Sequence, residues 1–502
     1  MKMLKDVLKN SFSSILLQVI TFAFGMILPR IFIKTYGSSM NGLVSSINQI
    51  VSYLALLEAG LSIASLQALF KPTNENDWDS INSILSATKK YYRNIAIIFF
   101  ILTIIISIFY PFFINEKVDY IFTVELVIIL AMGNLVNYFL YTTESIFLKS
   151  QLKQYIVIFV QLGYIIISKV IQIILINYNV DLRIVYCVIP IVAVFRSIVL
   201  RGYIHIHYKN VTYKVTPNYN ALSKRSNALI HQVSGLVVNN TDIIILTIFT
   251  NLKVVSIYTI YNLLFSAINQ VISMTVTEAI FPFFGKIVVE DKNKKILRNS
   301  YKLFELIYIV LLTIILSTLS FVLLDFIELY TKGLDVNYAD HTLAVLFICT
   351  CFFNNVKMPG VVLINAKGHF KETQNRSILE AVINIITSLI LVRYLGIYGV
   401  LLGTIIAFLY RVFDICIYSN KYILHQSAKC TLKNVFLSAI IIIVSLFFSN
   451  LLNISLNSWL IWFFVSLILV SLFTIVIVFI FLVFNIGSAK LLFFYIKNKD
   501  NI

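Results

Sequence analysis

The chain alternates between long apolar stretches and short polar connections from end to end. Apolar stretches of about 20 residues or more, the length that crosses a bilayer as a helix, recur fourteen times. They lie near 11–35, 40–70, 92–114, 120–148, 155–177, 182–206, 226–250, 254–285, 303–325, 340–366, 373–395, 397–423, 434–453 and 458–485. The pattern predicts an all-α polytopic membrane protein with about 14 transmembrane helices, whose short connections leave no room for a soluble catalytic domain.

The composition agrees with this pattern. Hydrophobic residues make up 59% of the 502 positions and charged residues only 13%, whereas a soluble domain is nearer half apolar and a quarter charged. A soluble enzyme with a single membrane anchor is excluded. The sequence has no Walker motif, no Ser/His/Asp arrangement and no zinc-ligand spacing. We therefore expect a protein that is not an enzyme, with no metal site and no cofactor beyond a coupling proton or Na⁺.

The net charge is +17, and most of the basic residues lie in the connections between apolar stretches. This placement is typical of charges that set the orientation of a membrane protein, and it argues against a nucleic-acid partner. With fourteen spans, 29 Lys and Arg residues fall in one alternating set of connections, which includes both termini, and 7 fall in the other set. Cytoplasmic loops carry the excess of positive charge. Both termini are therefore expected to lie in the cytoplasm.

An internal repeat relates the two halves of the chain. The twelve residues from Asn41 to Ser52 match those from Asn262 to Ser273 at seven positions. Glu58 and Glu278, and then Arg196 and Arg411, follow at nearly the same offset. The offset covers six spans, so the repeats insert in the same orientation, as in some secondary transporters.

The repeat predicts three segments. Residues 1–222 and 223–430 form two pseudo-symmetric six-helix bundles, and residues 431–502 add two further helices and a cytoplasmic tail. Positions 434–489 contain no Asp, Glu, Lys or Arg, which suits helices that face lipid.

Ionisable residues inside the spans are the candidates for function, because each costs about 2.5–3.5 kcal/mol at the centre of a membrane helix. The candidate substrate-binding residues are Arg30, Lys169, Arg196, Arg411 and Asp242. The candidates for gating or ion coupling are Glu58, Glu278, Glu380 and Asp414. A guanidinium binds phosphate oxygens with two parallel donors, so Arg196 and Arg411 fit a phosphate-bearing substrate.

Structural alternatives stand beside these roles. Arg411 lies three residues before Asp414 and could pair with it on one helix. Glu58 and Glu278 could belong to fixed ion pairs, and Asp242 could hydrogen-bond to a neighbouring helix. Gly396, Gly399 and Gly403 predict a close approach of two helices. All five cysteines and the pair His205 and His207 are interpreted as packing or interfacial residues.

Several short segments resemble the polysaccharide-type flippases of the multidrug/oligosaccharidyl-lipid/polysaccharide (MOP) exporter superfamily. These segments are Pro29-Arg30, Tyr36-Gly37, Asn41-Gly42-Leu43, Leu57-Glu58-Ala59-Gly60, Lys71-Pro72 through Tyr91-Tyr92-Arg93, Asn240-Thr241-Asp242 and Ile257-Tyr258-Thr259-Ile260-Tyr261. The resemblance implies a V-shaped pair of six-helix bundles around a central cavity. It also implies transport of undecaprenyl-pyrophosphate-linked oligosaccharide across the bacterial cytoplasmic membrane, with Arg30, Arg196 and Arg411 as cavity cations.

The function expected from the resemblance is flipping of such a glycan, a repeat unit of capsule, O-antigen or another surface polysaccharide, by alternating access. Membrane lipids are expected partners, glycan polymerases or assembly proteins are candidate partners, and the protein is expected to work as a monomer. Among the buried charges acids outnumber bases, so an ion-coupled multidrug antiporter on the same scaffold remains an alternative. A membrane glycan polymerase or ligase is a further one, although such enzymes usually carry a large outer loop.

Overall fold

The structure is a computed structural model, and it describes residues 2–225, 235, 240–275, 280–289, 294–452 and 456–487. These residues form helices and connecting turns, with no strand among them. Thirteen of the described helical segments are long and apolar enough to cross a membrane, and a shorter apolar helix covers Asn240–Phe249. The prediction of an all-α polytopic protein with about fourteen spans is confirmed.

The chain divides into two compact units, residues 1–259 and 260–502. The helices of the first unit are α1 (Lys2–Tyr36), α2 (Ser38–Leu54), α3 (Leu61–Glu75), α4 (Trp78–Phe109), α5 (Tyr120–Val136), α6 (Thr142–Ser150), α7 (Gln154–Asn177), α8 (Leu182–His207) and α9 (Asn240–Phe249). The boundary at 259/260 falls inside α10 (Leu252–Thr275). The segments 1–222, 223–430 and 431–502 stay a prediction.

The second unit continues with helices of very different lengths. They are α11 (Phe281–Val289), α12 (Lys294–Thr331), α13 (His341–Val356), α14 (Met358–Lys367), α15 (Phe370–Leu395), α16 (Ile397–Tyr418), α17 (Lys429–Leu452) and α18 (Trp459–Phe484). The longest, α12, has 38 residues, more than the roughly 20 that a bilayer requires.

Two predicted spans of the first unit are interrupted helices. The span predicted at 40–70 is not one helix. After α2 the chain makes a 3₁₀ turn over Ala55–Glu58, and Gly60 has a positive φ of +77° before α3 begins. Glycine takes this left-handed conformation without the steric cost that a Cβ adds. The span predicted at 120–148 contains one π-helical turn over Asn137–Tyr141, between α5 and α6. Both interruptions lie beside the same polar cavity, described below.

Small residues set the closest helix approaches. A Cβ on Gly42 of α2 would lie 1.8 Å from the carbonyl oxygen of Leu252, and one on Gly403 would lie 2.4 Å from Ser388 Oγ of α15. A Cβ on Gly399 would lie 2.3 Å from Leu391 O. The close approach predicted for this glycine series is confirmed at Gly399 and Gly403, whereas Gly396 ends α15 with φ +55°.

The last two helices pack against α12 on one side only. Trp462 of α18 donates its indole N–H to the carbonyl of Val322, at 2.9 Å. In α18 only Ile477 and Phe481 are buried, and most of its other large apolar side chains are exposed. Exposed apolar surface of this extent suits contact with lipid tails.

Candidate functional site

Arg196, midway along α8, is a buried cation between two aromatic rings. Its guanidinium carbon lies 3.7 Å from the ring centre of Tyr141 and 4.4 Å from that of Tyr164 on α7. The side chain donates to the amide oxygens of Gln161 and Asn137. We call these four partners the Arg196 cage. Its aromatic faces attract the cation by about 2 kcal/mol or more when water is excluded.

The π-helical turn supplies two members of the cage. Asn137 and Tyr141 are its first and last residues, and both reach Arg196. π-helical turns are rare, and they occur frequently at functional sites. The backbone is therefore irregular at the point where this unit holds its buried arginine.

The charge of Arg196 is not neutralised by an acid within the part of the chain that the structure describes. None of the ion pairs there includes Arg196, and its buried Nε has no hydrogen-bond partner. Burying a cation without a carboxylate partner lowers the free energy of unfolding, so Arg196 makes the folded protein less stable than a paired arginine would. Arg196 has the donors that a phosphate or pyrophosphate would need.

A polar cavity of about 250 Å³ adjoins the cage and lies entirely within the first unit. Asn137 and Tyr141 belong to both. The remaining lining residues are Ala55, Glu58, Ser62, Asn134, Tyr138, Thr142, Ser145, Ile146 and Lys149. A carboxylate and an ammonium thus share one chamber, with amide and hydroxyl groups around them. This chamber can hold water, a proton or a small polar group.

The second unit places Arg411 in a cluster of five charged side chains, which we call the Glu380 network. Lys357 Nζ lies 2.8 Å from Glu380 Oε1, and Arg411 Nε lies 3.2 Å from Glu380 Oε2. Arg411 Nη1 also contacts Asp414 Oδ2 at 2.7 Å, and Arg376 pairs with the other oxygen of Asp414. Three cations therefore share two carboxylates, and each carboxylate bridges two of them.

The two repeat-related arginines thus have different surroundings. Arg196 has aromatic and amide partners, whereas Arg411 has two acids and the hydroxyl of Ser377 at 2.8 Å. The ion pair between Arg411 and Asp414, given above as the structural alternative, is present. Of the two, Arg196 keeps the uncompensated charge that an anionic ligand would find.

Comparison with solved structures finds the same architecture in known membrane transporters. The lipid II flippase MurJ in an inward closed conformation aligns with a TM-score of 0.68 at 15% identity, over 95% of this chain and 99% of the other. A multidrug resistance MATE family transporter of the MOP superfamily, in an inward-facing conformation, aligns with a TM-score of 0.58 at 14% identity, over 85% and 95%. The chain has the MOP superfamily fold.

A mutant of the Vibrio cholerae MATE transporter VcmN aligns as well, with a TM-score of 0.53 at 12% identity, over 85% of this chain and 98% of the other. No family model matches the sequence, and no curated protein matches it. At identities this low the likeness to the MOP transporters is one of fold. The fold expected from the sequence resemblance is confirmed.

The other predicted site residues of this chain do not gather at the Arg196 cage or at the Glu380 network. Asp242 is buried and accepts a hydrogen bond from Tyr258 of α10 at 2.8 Å, which is the neighbouring-helix contact considered above. Lys169, half-buried, donates to Gln172 on its own helix at 3.0 Å. Arg30 is half-buried in α1, and Glu278 lies outside the described residues. The site roles of all four stay predictions.

Two residues of interest were missed by the sequence argument. Lys149 lies just beyond the span predicted at 120–148, yet it belongs to the last turn of α6 and lines the polar cavity together with Glu58. Glu305 of α12 is 3% exposed and accepts a hydrogen bond from Thr431 at 3.1 Å. Neither has a local sequence signal, because both lie near predicted span ends. In the described ranges no cluster of three His, Cys, Asp or Glu side chains is suited to a metal ion.

Proposed function

We propose that this protein is a flippase for undecaprenyl-pyrophosphate-linked oligosaccharide in the bacterial cytoplasmic membrane, working by alternating access. The observation that carries the proposal is the guanidinium of Arg196 in its cage, which is buried, has no carboxylate partner among the described residues and lies beside the polar cavity. The fold similarity to a solved lipid flippase supports it. Both termini lie in the cytoplasm in this proposal, and residues 1–222 and 223–430 are the two moving bundles.

The chemistry of the substrate fits these features. A pyrophosphate carries concentrated negative charge, and a guanidinium binds its oxygens through parallel donors. Aromatic side chains such as Tyr138 and Tyr141 offer flat faces to sugar rings. The polyprenyl tail stays in lipid while the polar head crosses through a hydrated path. No covalent step is required, so the protein acts as a transporter.

The energy source in this proposal is an ion or the membrane potential. A single charge moved across the membrane gains about 2.3 kcal/mol per 100 mV. Glu58 is the candidate proton or Na⁺ carrier of the first unit because it lines the polar cavity together with Lys149. Glu380 and Asp414 are the candidates of the second unit, although each already holds two cations.

Flipping of labelled lipid-linked sugar in proteoliposomes tests the proposal. Arg196→Met is expected to reduce the flipping rate at least about tenfold, which corresponds to about 1.4 kcal/mol. Arg196→Lys restores a cation and is expected to recover part of the rate. Arg183→Gln is the control, because Arg183 is 43% exposed and pairs with Glu125. Undiminished flipping by Arg196→Met would remove the site from the proposal.

An ion-coupled multidrug antiporter is the second candidate. The carboxylate of Glu58 among tyrosines in the polar cavity favours it, since organic cations bind acids and aromatic faces. A deletion strain separates the two functions. Accumulation of lipid-linked sugar on the cytoplasmic face supports the flippase, whereas lowered drug resistance with unaltered surface glycan supports the antiporter.

A further inference from the structure

A second cavity of the first unit has a lining different from that of the polar cavity. It is a groove of about 370 Å³ lined by Leu140, Ser197, Ile198, Arg201, Gly202 and His205. Its volume is at the lower end of the range for ligand pockets. Five of the six lining residues come from the second half of α8, and Leu140 comes from the π-helical turn.

The groove continues an apolar face of α8. Ile191, Phe195 and Ile198 are between 55% and 62% exposed along this helix. In a helix that crosses the membrane, such side chains face lipid tails. A Cβ on Gly202 would meet no atom within 4 Å, so the groove is open at this glycine.

Charged groups stand at one end of the groove. Arg201 donates from Nε and Nη2 to Glu144 Oε1, at 3.3 and 3.0 Å. Its Nη1 has no hydrogen bond to any described residue, and the side chain is 46% exposed. The guanidinium is thus held in place by Glu144, which is 1% exposed, while one donor nitrogen remains available.

This end carries a net positive charge. Lys89 of α4 lies near enough to Glu144 and Arg201 for the charges to interact, so this end has two cations and one carboxylate, of which Arg201 and Glu144 form the ion pair. By the orientation predicted from the loop charges, this end of α8 lies at the cytoplasmic surface. The inner leaflet is the one whose anionic lipids attract cationic residues there.

We propose that the groove binds one anionic phospholipid of the inner leaflet, with its phosphate on Arg201 and an acyl chain along Ile198 and Gly202. The proposal does not depend on which substrate the protein moves. The groove has an apolar part beside the guanidinium of Arg201, which Glu144 holds in place. An acyl chain fits the apolar part, and a negative headgroup fits the guanidinium.

Native mass spectrometry of the full-length protein in detergent tests this site. Phosphatidylglycerol and phosphatidylcholine with identical acyl chains are titrated separately. We expect one retained phosphatidylglycerol, bound about fivefold more tightly than phosphatidylcholine, as one cation at the membrane surface provides. Gly202→Trp fills the groove and is expected to abolish this retention. Gly163→Trp is the matched control, because Gly163 also has open space but lies on α7.

A second variant tests the headgroup contact. Arg201→Gln combined with Glu144→Gln removes both charges of the pair, so that no buried carboxylate is left alone. This double variant leaves the net charge of the end unchanged, because Lys89 remains, and is expected to lose most of the preference for phosphatidylglycerol, since the phosphate contact with Arg201 is gone. Equal binding by the unaltered protein, or retention unaffected by Gly202→Trp, would overturn the proposal. So would displacement of the phosphatidylglycerol by inorganic phosphate alone, or a protein dimer that Gly202→Trp dissociates.

Discussion

Arg411 and Glu380 form an ion pair in the second unit, with 3.2 Å between Nε and Oε2, and the same carboxylate holds the ammonium of Lys357 at 2.8 Å. Arg196, the counterpart of Arg411 in the sequence repeat, has no such acid among the described residues and lies between two tyrosine rings. The two arginines that the sequence repeat aligns thus have different surroundings. Substitution should therefore lower the stability of the protein more at Arg411 than at Arg196.

Arg411→Met is expected to destabilise the protein by about 1.5–3 kcal/mol, since hydrogen bonds between charged groups are lost and each of the two carboxylates keeps only one cation, Lys357 or Arg376. Glu380 and Asp414 both lose a cation in this variant. The thermal midpoint of the detergent-purified protein measures the effect. Arg376→Met is the control and should cost less, because Arg376 is 37% exposed and Asp414 keeps Arg411. Equal midpoints for Arg411→Met and the unaltered protein would contradict the structural role of the pair.

Arg196→Met is expected to leave stability within about 1 kcal/mol of the unaltered protein. The loss of its hydrogen bonds, each worth about 1 kcal/mol, is offset because a buried charge no longer has to be desolvated. The same thermal measurement tests this, alongside Arg411→Met. A loss of stability as large as that of Arg411→Met would show that the cage is a structural element, and reduced transport could not then be assigned to a lost ligand contact.

Gly403→Val is expected to destabilise the second unit by about 1–3 kcal/mol or more, the usual cost of overpacking. The new Cβ would lie 2.4 Å from Ser388 Oγ and 2.6 Å from the backbone nitrogen of Ser388, so α15 and α16 must separate. Gly163→Val meets open space and should be nearly neutral. Thermal midpoints in one detergent compare the two, and a neutral Gly403→Val would refute the close helix contact.

The predicted orientation can be tested with single cysteines in a variant whose five native cysteines are replaced by alanine. Tyr178, between α7 and α8, is 78% exposed and is predicted to lie outside. Asn210, which follows α8, is exposed and is predicted to lie in the cytoplasm. A membrane-impermeant maleimide should label Tyr178→Cys in intact cells, and Asn210→Cys only after permeabilisation. The opposite labelling would reverse the orientation.

Local sequence was sufficient for the helices and for one helix contact. Apolar runs of spanning length need no knowledge of their neighbours, and the predicted spans correspond to the thirteen long helices and to Asn240–Phe249. The glycines at 399 and 403 indicated a close approach because a missing side chain has a direct steric meaning. The interruptions at Gly60 and at Asn137–Tyr141 were not predicted, since apolar content continues through both.

The surroundings of each buried charge were decided by tertiary structure. Sequence identified Arg196 and Arg411 as charges in membrane spans, and their equal spacing in the repeat made them look equivalent. Their partners come from other helices: Asn137 lies 59 positions from Arg196 along the chain, and Glu380 lies 31 positions from Arg411. Hydrophobicity is a property of a segment alone, whereas the compensation of a charge depends on which side chains packing brings within a few ångströms. For that reason the chain itself determined which residues enter the membrane, and only the folded bundle decided which of their charges are left unpaired.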